Sequence, residues 1–260
     1  YEIPIKNVVT DTLAFSAGVQ QQDIGDAKTD QFTLGVSRNE SWRGFRRRLY
    51  LNLERENFQF TDLGESFTTD LLYPGVTLER KQADDFQYPR RGYSATVDLR
   101  GASDSVLSDT SFTRIAAEVR WVHAIAENVR VLLRGEVGAI EASDFDRLPP
   151  SQRFFTGGDR SIRGYGFQNI GTRNTDNANI GGEFLVAAGA ELEYLFFRDY
   201  GVALFVDSGD AFIDTMELQT AAGLGFRWRS PIGMVRVDLA QPLDDPGKSL
   251  RLHISIGPDL

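Results

Sequence analysis

The chain has 260 residues, no cysteine, two histidines and a formal net charge of −9. The acidic balance argues against nucleic acid as a partner, because a nucleic-acid binder needs a basic face that displaces counterions from phosphate. Without cysteine there is neither a disulfide scaffold nor a thiolate metal site. No apolar run approaches the ~20 residues that a helix needs to cross a bilayer, so composition alone is typical of a soluble protein.

Two-residue alternation of apolar and polar side chains runs through most of the chain. It occurs, in chain order, in residues 49–54, 93–100, 114–121, 129–137, 223–229, 234–239 and 250–256. Successive side chains of a strand point to opposite faces, so each segment has one apolar face and one polar or charged face. The pattern predicts about 12 strands, with helix a minor component.

The predicted connections alternate in length along the chain. Short turns are predicted at residues 38–45, 125–128, 196–199 and 230–233. Between them lie longer polar loops, at residues 21–30, 57–67, 101–110, 142–183, 208–219 and 241–249. This layout is typical of bacterial outer-membrane barrels, which have short periplasmic turns and long surface loops.

Alternation does not by itself say which face meets lipid. In a soluble sandwich or barrel the apolar faces would pack inward and the charged faces would meet water. Two features favour the membrane. The polar faces carry charges of both signs, as in a hydrated lumen, and aromatic residues gather near strand ends as in interfacial girdles: Trp42, Phe45, Tyr194, Phe196, Phe197, Tyr200 and Trp228. We therefore predict an all-β fold, a transmembrane antiparallel β-barrel.

The loop at residues 142–183 is far longer than ordinary connections, so it is either functional or disordered. Its middle, FFTGGDRSIRGYGF at residues 154–167, is aromatic and apolar enough to pack, which argues against disorder. Its glycines permit tight backbone turns, and a cation in it would meet carboxylates of the lumen. We predict that this surface loop folds into the lumen, with Arg163 as the plug.

The segment RFFTGGDRSIRGYGF resembles the signature loop of the outer-membrane assembly-factor superfamily, which includes BamA, TamA and the FhaC-type two-partner secretion transporters. Its GGDRSIRGY form is nearer to the TamA branch than to the BamA branch. DFDRLPPSQ before it, FVDSGDAF at residues 205–212 and the terminal IGPDL also resemble TamA. The resemblance spans the whole chain. The loop motif that carries it comprises Gly157, Gly158, Asp159, Arg160, Arg163, Gly164 and Tyr165.

The resemblance implies a lock between this loop and the barrel wall. In the family a loop arginine bonds to an acidic residue inside the barrel, so Arg163 is expected to bond to Asp207 and Glu193. Alternation agrees, because it places both carboxylates on the lumen face. The family also has sixteen strands preceded by periplasmic POTRA domains. Residues 1–260 are therefore expected to be a partial C-terminal barrel domain without the POTRA domains and first strands.

The function implied by the resemblance is assembly. The protein would help to insert or translocate β-barrel proteins, autotransporters among them, into the bacterial outer membrane through a lateral seam between the first and last strands. Its implied partners are outer-membrane lipid, a TamB-like protein anchored in the inner membrane and client β-barrel proteins. The expected seam strand, residues 250–257, contains Leu250, Leu252, Ile254, Ile256 and Gly257. An FhaC-type secretion pore, a BamA-type insertase and a passive porin are the alternatives.

Other motifs predict neither an enzyme nor a cofactor. VDSG at residues 206–209 has the form of an aspartic-protease motif, but that chemistry needs two such aspartates and no second copy occurs. GGDR lacks the GK[ST] of a phosphate loop. His123 and His253 lie on different predicted strands without metal-ligand spacing, so His253 is predicted to be a hydrated lumen histidine. Structural ion pairs are predicted for the remaining lumen arginines, Arg114, Arg120, Arg130 and Arg134.

Overall fold

The computed structural model describes residues 1–7, 11–60, 66–85, 87–231, 233–244, 247 and 249–260, with residues 6 and 7 described by backbone alone. Thirteen strands in these residues form one antiparallel sheet whose spatial order is the chain order, against the 12 that the sequence predicts. They are β1 (Glu2–Asn7), β2 (Asp11–Ile24), β3 (Ala27–Trp42), β4 (Phe45–Phe60), β5 (Ser66–Ala83), β6 (Arg91–Ala102), β7 (Phe112–Ala126), β8 (Val129–Ala142), β9 (Phe184–Phe197), β10 (Tyr200–Phe212), β11 (Gln219–Ser230), β12 (Gly233–Pro242) and β13 (Arg251–Gly257).

The two faces of the sheet differ as the alternation predicts. On β10, Leu204 and Val206 are 56% and 45% exposed, whereas Phe205 and Asp207 are 5% and 0% exposed. The apolar side chains therefore point away from the interior and the charged side chains point into it. Exposed aromatic side chains surround the end of the sheet with the short turns, as in an interfacial girdle: Trp42, Tyr194, Phe196, Phe197, Tyr200 and Trp228.

The sheet curls around the connection at residues 143–183. The backbone N–H of Asn179 in this connection donates to Asp26 Oδ2, between β2 and β3, at 2.7 Å. From the other end of the sheet, Leu260 follows β13 and its backbone oxygen accepts from Lys81 Nζ on β5 at 2.6 Å. A buried apolar cluster lies between the connection and the inner wall. The connection also contains a short 3-10 helix, Pro150–Gln152. Among the described residues, no helix is both long and apolar enough to cross a membrane.

The prediction of a long loop at residues 21–30 is wrong. The polar stretch 21–30 is almost entirely strand, because β2 and β3 continue to Ile24 and from Ala27 and leave a two-residue turn. Gly25 takes a positive φ of 59°, which a tight hairpin turn requires. The polar side chains pair across the strands, with Gln21 Nε2 donating to Asp30 Oδ1 at 2.7 Å. Polarity here marks strands that continue beyond the apolar belt.

The other described connections lie close to their predicted positions, with smaller differences in their bounds. Turns at residues 43–44, 127–128 and 198–199 are short, as predicted, and the predicted loop at 208–219 shrinks to 213–218 because β10 continues to Phe212. The sequence missed a connection at residues 84–90 between β5 and β6. Parts of the predicted connections at 57–67, 230–233 and 241–249 lie outside the described residues.

The outward position of Leu204 generates a test. Because this side chain points away from the lumen, Leu204→Arg places a charge in hydrocarbon and should destabilise the folded barrel in lipid by about 2–4 kcal/mol. Urea unfolding, followed by the gel shift between folded and unfolded barrel, measures the change. Leu204→Ile is the matched control and should stay within about 1.5 kcal/mol of wild type. Equal stabilities for the two variants would contradict a lipid-facing β10.

Candidate functional site in the barrel interior

The loop motif closes on itself before it meets the wall. Thr156 and Ile170 exchange backbone hydrogen bonds, each at 3.0 Å, so the intervening residues form a compact lobe. Inside it the N–H of Gly158 donates to the carbonyl of Ile162 at 3.1 Å. Gly157 and Gly158 both have φ above 100°, a conformation that disfavours residues with a Cβ. Ile162, Tyr165, Ile170 and wall residue Ala221 form one buried apolar cluster.

Arg163 extends from this lobe to three carboxylates of the wall. Its Nε and Nη2 donate to the two oxygens of Asp207, at 2.8 and 3.1 Å. Its Nη1 donates to Glu191 Oε2 at 2.7 Å and to Asp238 Oδ2 at 3.0 Å. The guanidinium carbon lies 3.4 Å from the ring centroid of Phe205, a cation–π contact. The contacts join the loop to β9, β10 and β12.

A second arginine, Arg227 of β11, shares these carboxylates and is fully buried. Its Nε donates to Glu191 Oε1 and Glu193 Oε1, both at 3.0 Å. Its Nη1 donates to Asp238 Oδ1 at 2.5 Å. Glu191 and Asp238 thus give one oxygen to each arginine, which links the loop lock to the wall strands. Arg227 was not predicted as a site residue, although it occupies the inner face of the predicted strand at residues 223–229.

The expected bond between Arg163 and Glu193 is not formed. Glu193 instead accepts from Arg130 Nε at 3.0 Å and from Arg227. The register explains the difference, because Asp207 lies opposite Gly189 whereas Glu193 lies opposite Ala203, four residues along β10. Glu191, two residues nearer, is within reach. Two-residue alternation identifies the face of both glutamates but does not say which one the loop meets.

We call the connected set of five arginines and five carboxylates the lumen ion cluster. Its residues are Arg130, Arg134, Arg163, Arg227, Arg236, Glu191, Glu193, Asp207, Asp238 and Asp259. The formal charges of these ten residues cancel. Arg163 is the one residue of the cluster that belongs to the loop. If the loop left the lumen, the carboxylates of the wall would outnumber the remaining arginines by one, in an interior from which water is largely excluded. Such an imbalance is costly, and it favours the seated loop.

The electrostatics of Arg163 follow from this arrangement. Burial alone lowers the pKa of a guanidinium, but the hydrogen bonds and charge of Asp207, with the charges of Glu191 and Asp238, raise the pKa of Arg163 above its ordinary value. The arginine is therefore charged at neutral pH. Each bond in the lock is charge-assisted, and such bonds are roughly twice as strong as bonds between neutral groups.

Two glycines of the wall make room for the cluster. A Cβ built on Gly189 would lie 2.6 Å from both Arg134 Nε and Asp207 Oδ1. A Cβ on Gly225 would overlap Asp238 Oδ1 and Arg227 Nη1. Real Cβ atoms essentially never lie this close, so a side chain at either position would displace the arginine and carboxylate ends from their bonds. Neither glycine was singled out by the sequence, because the need for them arises only when strands and loop are assembled.

Arg153 anchors the base of the loop by a different kind of contact. It donates to three backbone carbonyls, those of Leu148 at 2.7 Å, Ile180 at 3.0 Å and Asp146 at 3.0 Å. Its guanidinium carbon lies 4.5 Å from the ring centroid of Phe145. Burial lowers the pKa of Arg153 to about 10, because these partners are mostly neutral. This arginine joins the two ends of the loop, and it was not predicted as a site residue.

The structure also places the remaining predicted residues. Gly164 is buried with φ of 95°, Tyr165 is buried, and Asp159 and Arg160 are exposed. His253 faces the lumen but is 8% exposed and bonded to the loop, so the prediction of a hydrated histidine is wrong. Leu252, Ile254 and Ile256 lie on the outer face of β13 and Gly257 ends the strand, whereas Leu250 precedes it. The lumen arginines Arg114, Arg120, Arg130 and Arg134 all have carboxylate neighbours.

The fold and this interior define a bacterial outer-membrane β-barrel whose lumen holds an arginine-anchored loop. The Omp85 superfamily domain matches residues 4–259, so the chain belongs to the Omp85 superfamily. This confirms the fold class and the outer-membrane location expected from the loop motif.

Two related sequences and two solved structures are consistent with this family membership. The chain is 29% identical over 179 residues to the outer membrane protein assembly factor BamA of Nitratidesulfovibrio vulgaris, and 28% identical over 176 residues to BamA of Neorickettsia risticii. These matches cover 65% and 62% of the chain but 23% of each relative. The structure of BamA from Haemophilus ducreyi lacking POTRA domains 1–3 superposes with a TM-score of 0.84 at 14% identity, over 99% of this chain and 60% of that one. CdiB from Acinetobacter baumannii gives 0.63 at 16% identity, over 99% and 48%.

The lock generates a double-mutant test. Arg163→Ala should destabilise the barrel by about 3 kcal/mol, the lower end of the cost of unpairing a buried charge, because each carboxylate keeps a second arginine. Asp207→Ala should have a similar effect, and the double variant should be less than additive because the two residues contact each other. Urea unfolding in lipid gives the free energies. Arg160→Ala, an exposed arginine of the same lobe, should stay within about 0.5 kcal/mol of wild type. Strict additivity would count against a direct bond.

The crowding at Gly225 generates another test. Gly225→Ala forces a methyl group into the lumen ion cluster and should cost about 1–3 kcal/mol, as overpacking does. Gly18→Ala is a matched control, because it is also a strand glycine and a Cβ there has nothing within 4 Å. Its effect should stay within about 0.5 kcal/mol. Thermal unfolding of the two variants in the same lipid makes the comparison, and equal melting temperatures would contradict a volume limit at Gly225.

Proposed function

We propose that this chain is the barrel of an outer-membrane assembly factor that helps insert or translocate β-barrel proteins, autotransporters among them, through a lateral seam at β13. The observation that carries the proposal is the position of β13. In the described part of the sheet β13 pairs with β12 alone. Its outer face is apolar, with Leu252, Ile254 and Ile256 each about 60% exposed.

A seam strand whose outer edge opens can receive a client strand. In lipid every backbone N–H and C=O must find a partner within protein, so an unpaired edge there is costly and favours strand addition. An incoming strand of a client barrel satisfies that edge and is itself satisfied by it. The apolar outer face of β13 lets the exchange occur beside hydrocarbon without burying charge. Both BamA relatives are named outer membrane protein assembly factors, which supports this reading.

The seated loop argues against a passive porin. A steady pore needs an open lumen, whereas here Arg163 and the lobe around it occupy the interior. The cavity that remains beside Arg163 and Arg134 measures about 380 Å³ and is bounded by β13 residues and the segment after them. In the proposal Arg163, Gly164, Tyr165 and Asp207 form the loop lock, while Gly157, Gly158, Asp159 and Arg160 shape the lobe. Single-channel recordings should therefore show a barrel that is mostly closed.

Within this family we assign the chain to the TamA type, with a TamB-like protein of the inner membrane as its partner. The GGDRSIRGY form of the loop supports this assignment. The names of the two relatives favour a BamA-type insertase as the second candidate. The complete gene distinguishes the two, since three POTRA domains are typical of TamA and five of BamA. A direct interaction with the TamB-like protein, measured with purified components, is expected for the TamA type alone.

Site-specific photo-crosslinking tests the seam. A photo-reactive residue at Ile254, in the protein expressed from its complete gene, should capture an autotransporter barrel that is stalled during assembly. The same residue at Val119, also outward-facing and about half exposed but on β7, is the matched control and should capture little. Equal capture at both positions, or none at Ile254 while clients still assemble, would overturn β13 as the seam strand.

A further inference from the structure

Two consecutive loop residues hold the last two strands of the sheet. Arg163 Nη1 donates to Asp238 Oδ2 of β12 at 3.0 Å, and the backbone N–H of Gly164 donates to His253 Nε2 of β13 at 2.9 Å. Asp238 and His253 lie directly opposite each other in the β12–β13 register. The loop therefore contacts both members of one cross-strand pair from the lumen side.

Both ring nitrogens of His253 are engaged. Since Nε2 accepts from Gly164, the proton of a neutral imidazole lies on Nδ1, which donates to the carboxylate of Asp159. The ring is buried, which restricts its orientation. One side chain of β13 thus joins two residues of the loop motif, and it does so through a backbone N–H that no substitution at position 164 other than proline removes.

Gly164 is shaped to make this bond. Its φ of 95° is a conformation that disfavours residues with a Cβ, and its backbone N–H points at His253 of β13. A Cβ there would lie 3.1 Å from the Cβ of Ala221 and 3.3 Å from Pro242 Cδ, so the backbone sits directly against the wall. Two residues further, a Cβ on Gly166 would lie 3.2 Å from Arg251 Nη1 of β13. The loop backbone therefore follows the inner face of β13 at close range.

We propose that His253 is a positioning residue that holds β13 to the luminal loop, so that β13 separates from its place only after the bond to Gly164 breaks. The link itself stands on this geometry, and its role in opening rests on the proposed function. On the inner side of β13 the loop contacts His253 through both Gly164 and Asp159. Seating of the loop and position of the seam strand are thereby coupled through one imidazole.

Substitutions at His253 test the link in the protein expressed from its complete gene and placed in lipid nanodiscs. His253→Leu keeps much of the volume and removes both polar atoms, whereas His253→Gln retains an acceptor for the Gly164 N–H. Amide hydrogen exchange over residues 251–256 should be about tenfold faster in the leucine variant and near wild type in the glutamine variant. His123→Leu is the matched control, since His123 stacks on Trp121 of its own strand, and it should leave β13 unchanged.

The outcomes separate the link from the function. Unchanged exchange in a folded His253→Leu barrel, or equal acceleration in the leucine and glutamine variants, overturns the link. If the leucine variant does not fold, His253→Asn replaces it, because its amide is too short to reach Gly164, and it should exchange faster than His253→Gln. Faster exchange together with altered client capture at Ile254 supports both proposals. Faster exchange with client assembly wholly independent of β13 keeps the link and counts against the proposed function.

Discussion

The structure depends on a positive charge brought by a loop into an acidic wall. The Arg163 guanidinium donates four bonds to three carboxylates on three different strands, in a place where water is largely excluded. Removing such a charge costs more than forming the contacts gains, because the carboxylates left behind must be solvated or neutralised. The position of a long connection, which would otherwise have many conformations, is thereby determined by electrostatic balance.

The sequence predicts the wall better than the interior. Alternation assigns a face to nearly every strand residue, and the loop motif identifies Arg163 and Asp207, because both signals are local. The choice of Glu191 over Glu193 depends on the β9–β10 register, which places Glu191 opposite Phe205 and Glu193 opposite Ala203. A two-residue period fixes the face of each side chain but does not distinguish registers that differ by two residues. The same limit explains the error at residues 21–30, where polar composition indicated a loop and cross-strand pairing produced strands.

Small residues and shared partners give the interior its specificity. Gly189 and Gly225 leave space on the inner face of the sheet for the side chains of Arg134 and Arg227. The ring of Phe205 packs against the guanidinium of Arg163. His253 links the loop to β13 by hydrogen bonds to Gly164 and Asp159. These residues lie on five different strands, β8, β9, β10, β11 and β13, and the loop, so they form a site only after the sheet has curled. No short segment of the chain contains enough of them to be recognised.

Because the charges of loop and wall cancel, a loop and the wall around it must be complementary in charge when segments are exchanged between related barrels. A connection transplanted from a relative brings its own cation and its own shape, and it will seat only where the receiving wall supplies matching carboxylates and the gaps left by missing side chains. Chimeras within the superfamily should therefore succeed when the loop travels with β8 to β13 and the segment after β13 as a unit. Substitutions in this lumen are expected to occur in pairs, since any single change of charge leaves a neighbouring buried charge without a partner.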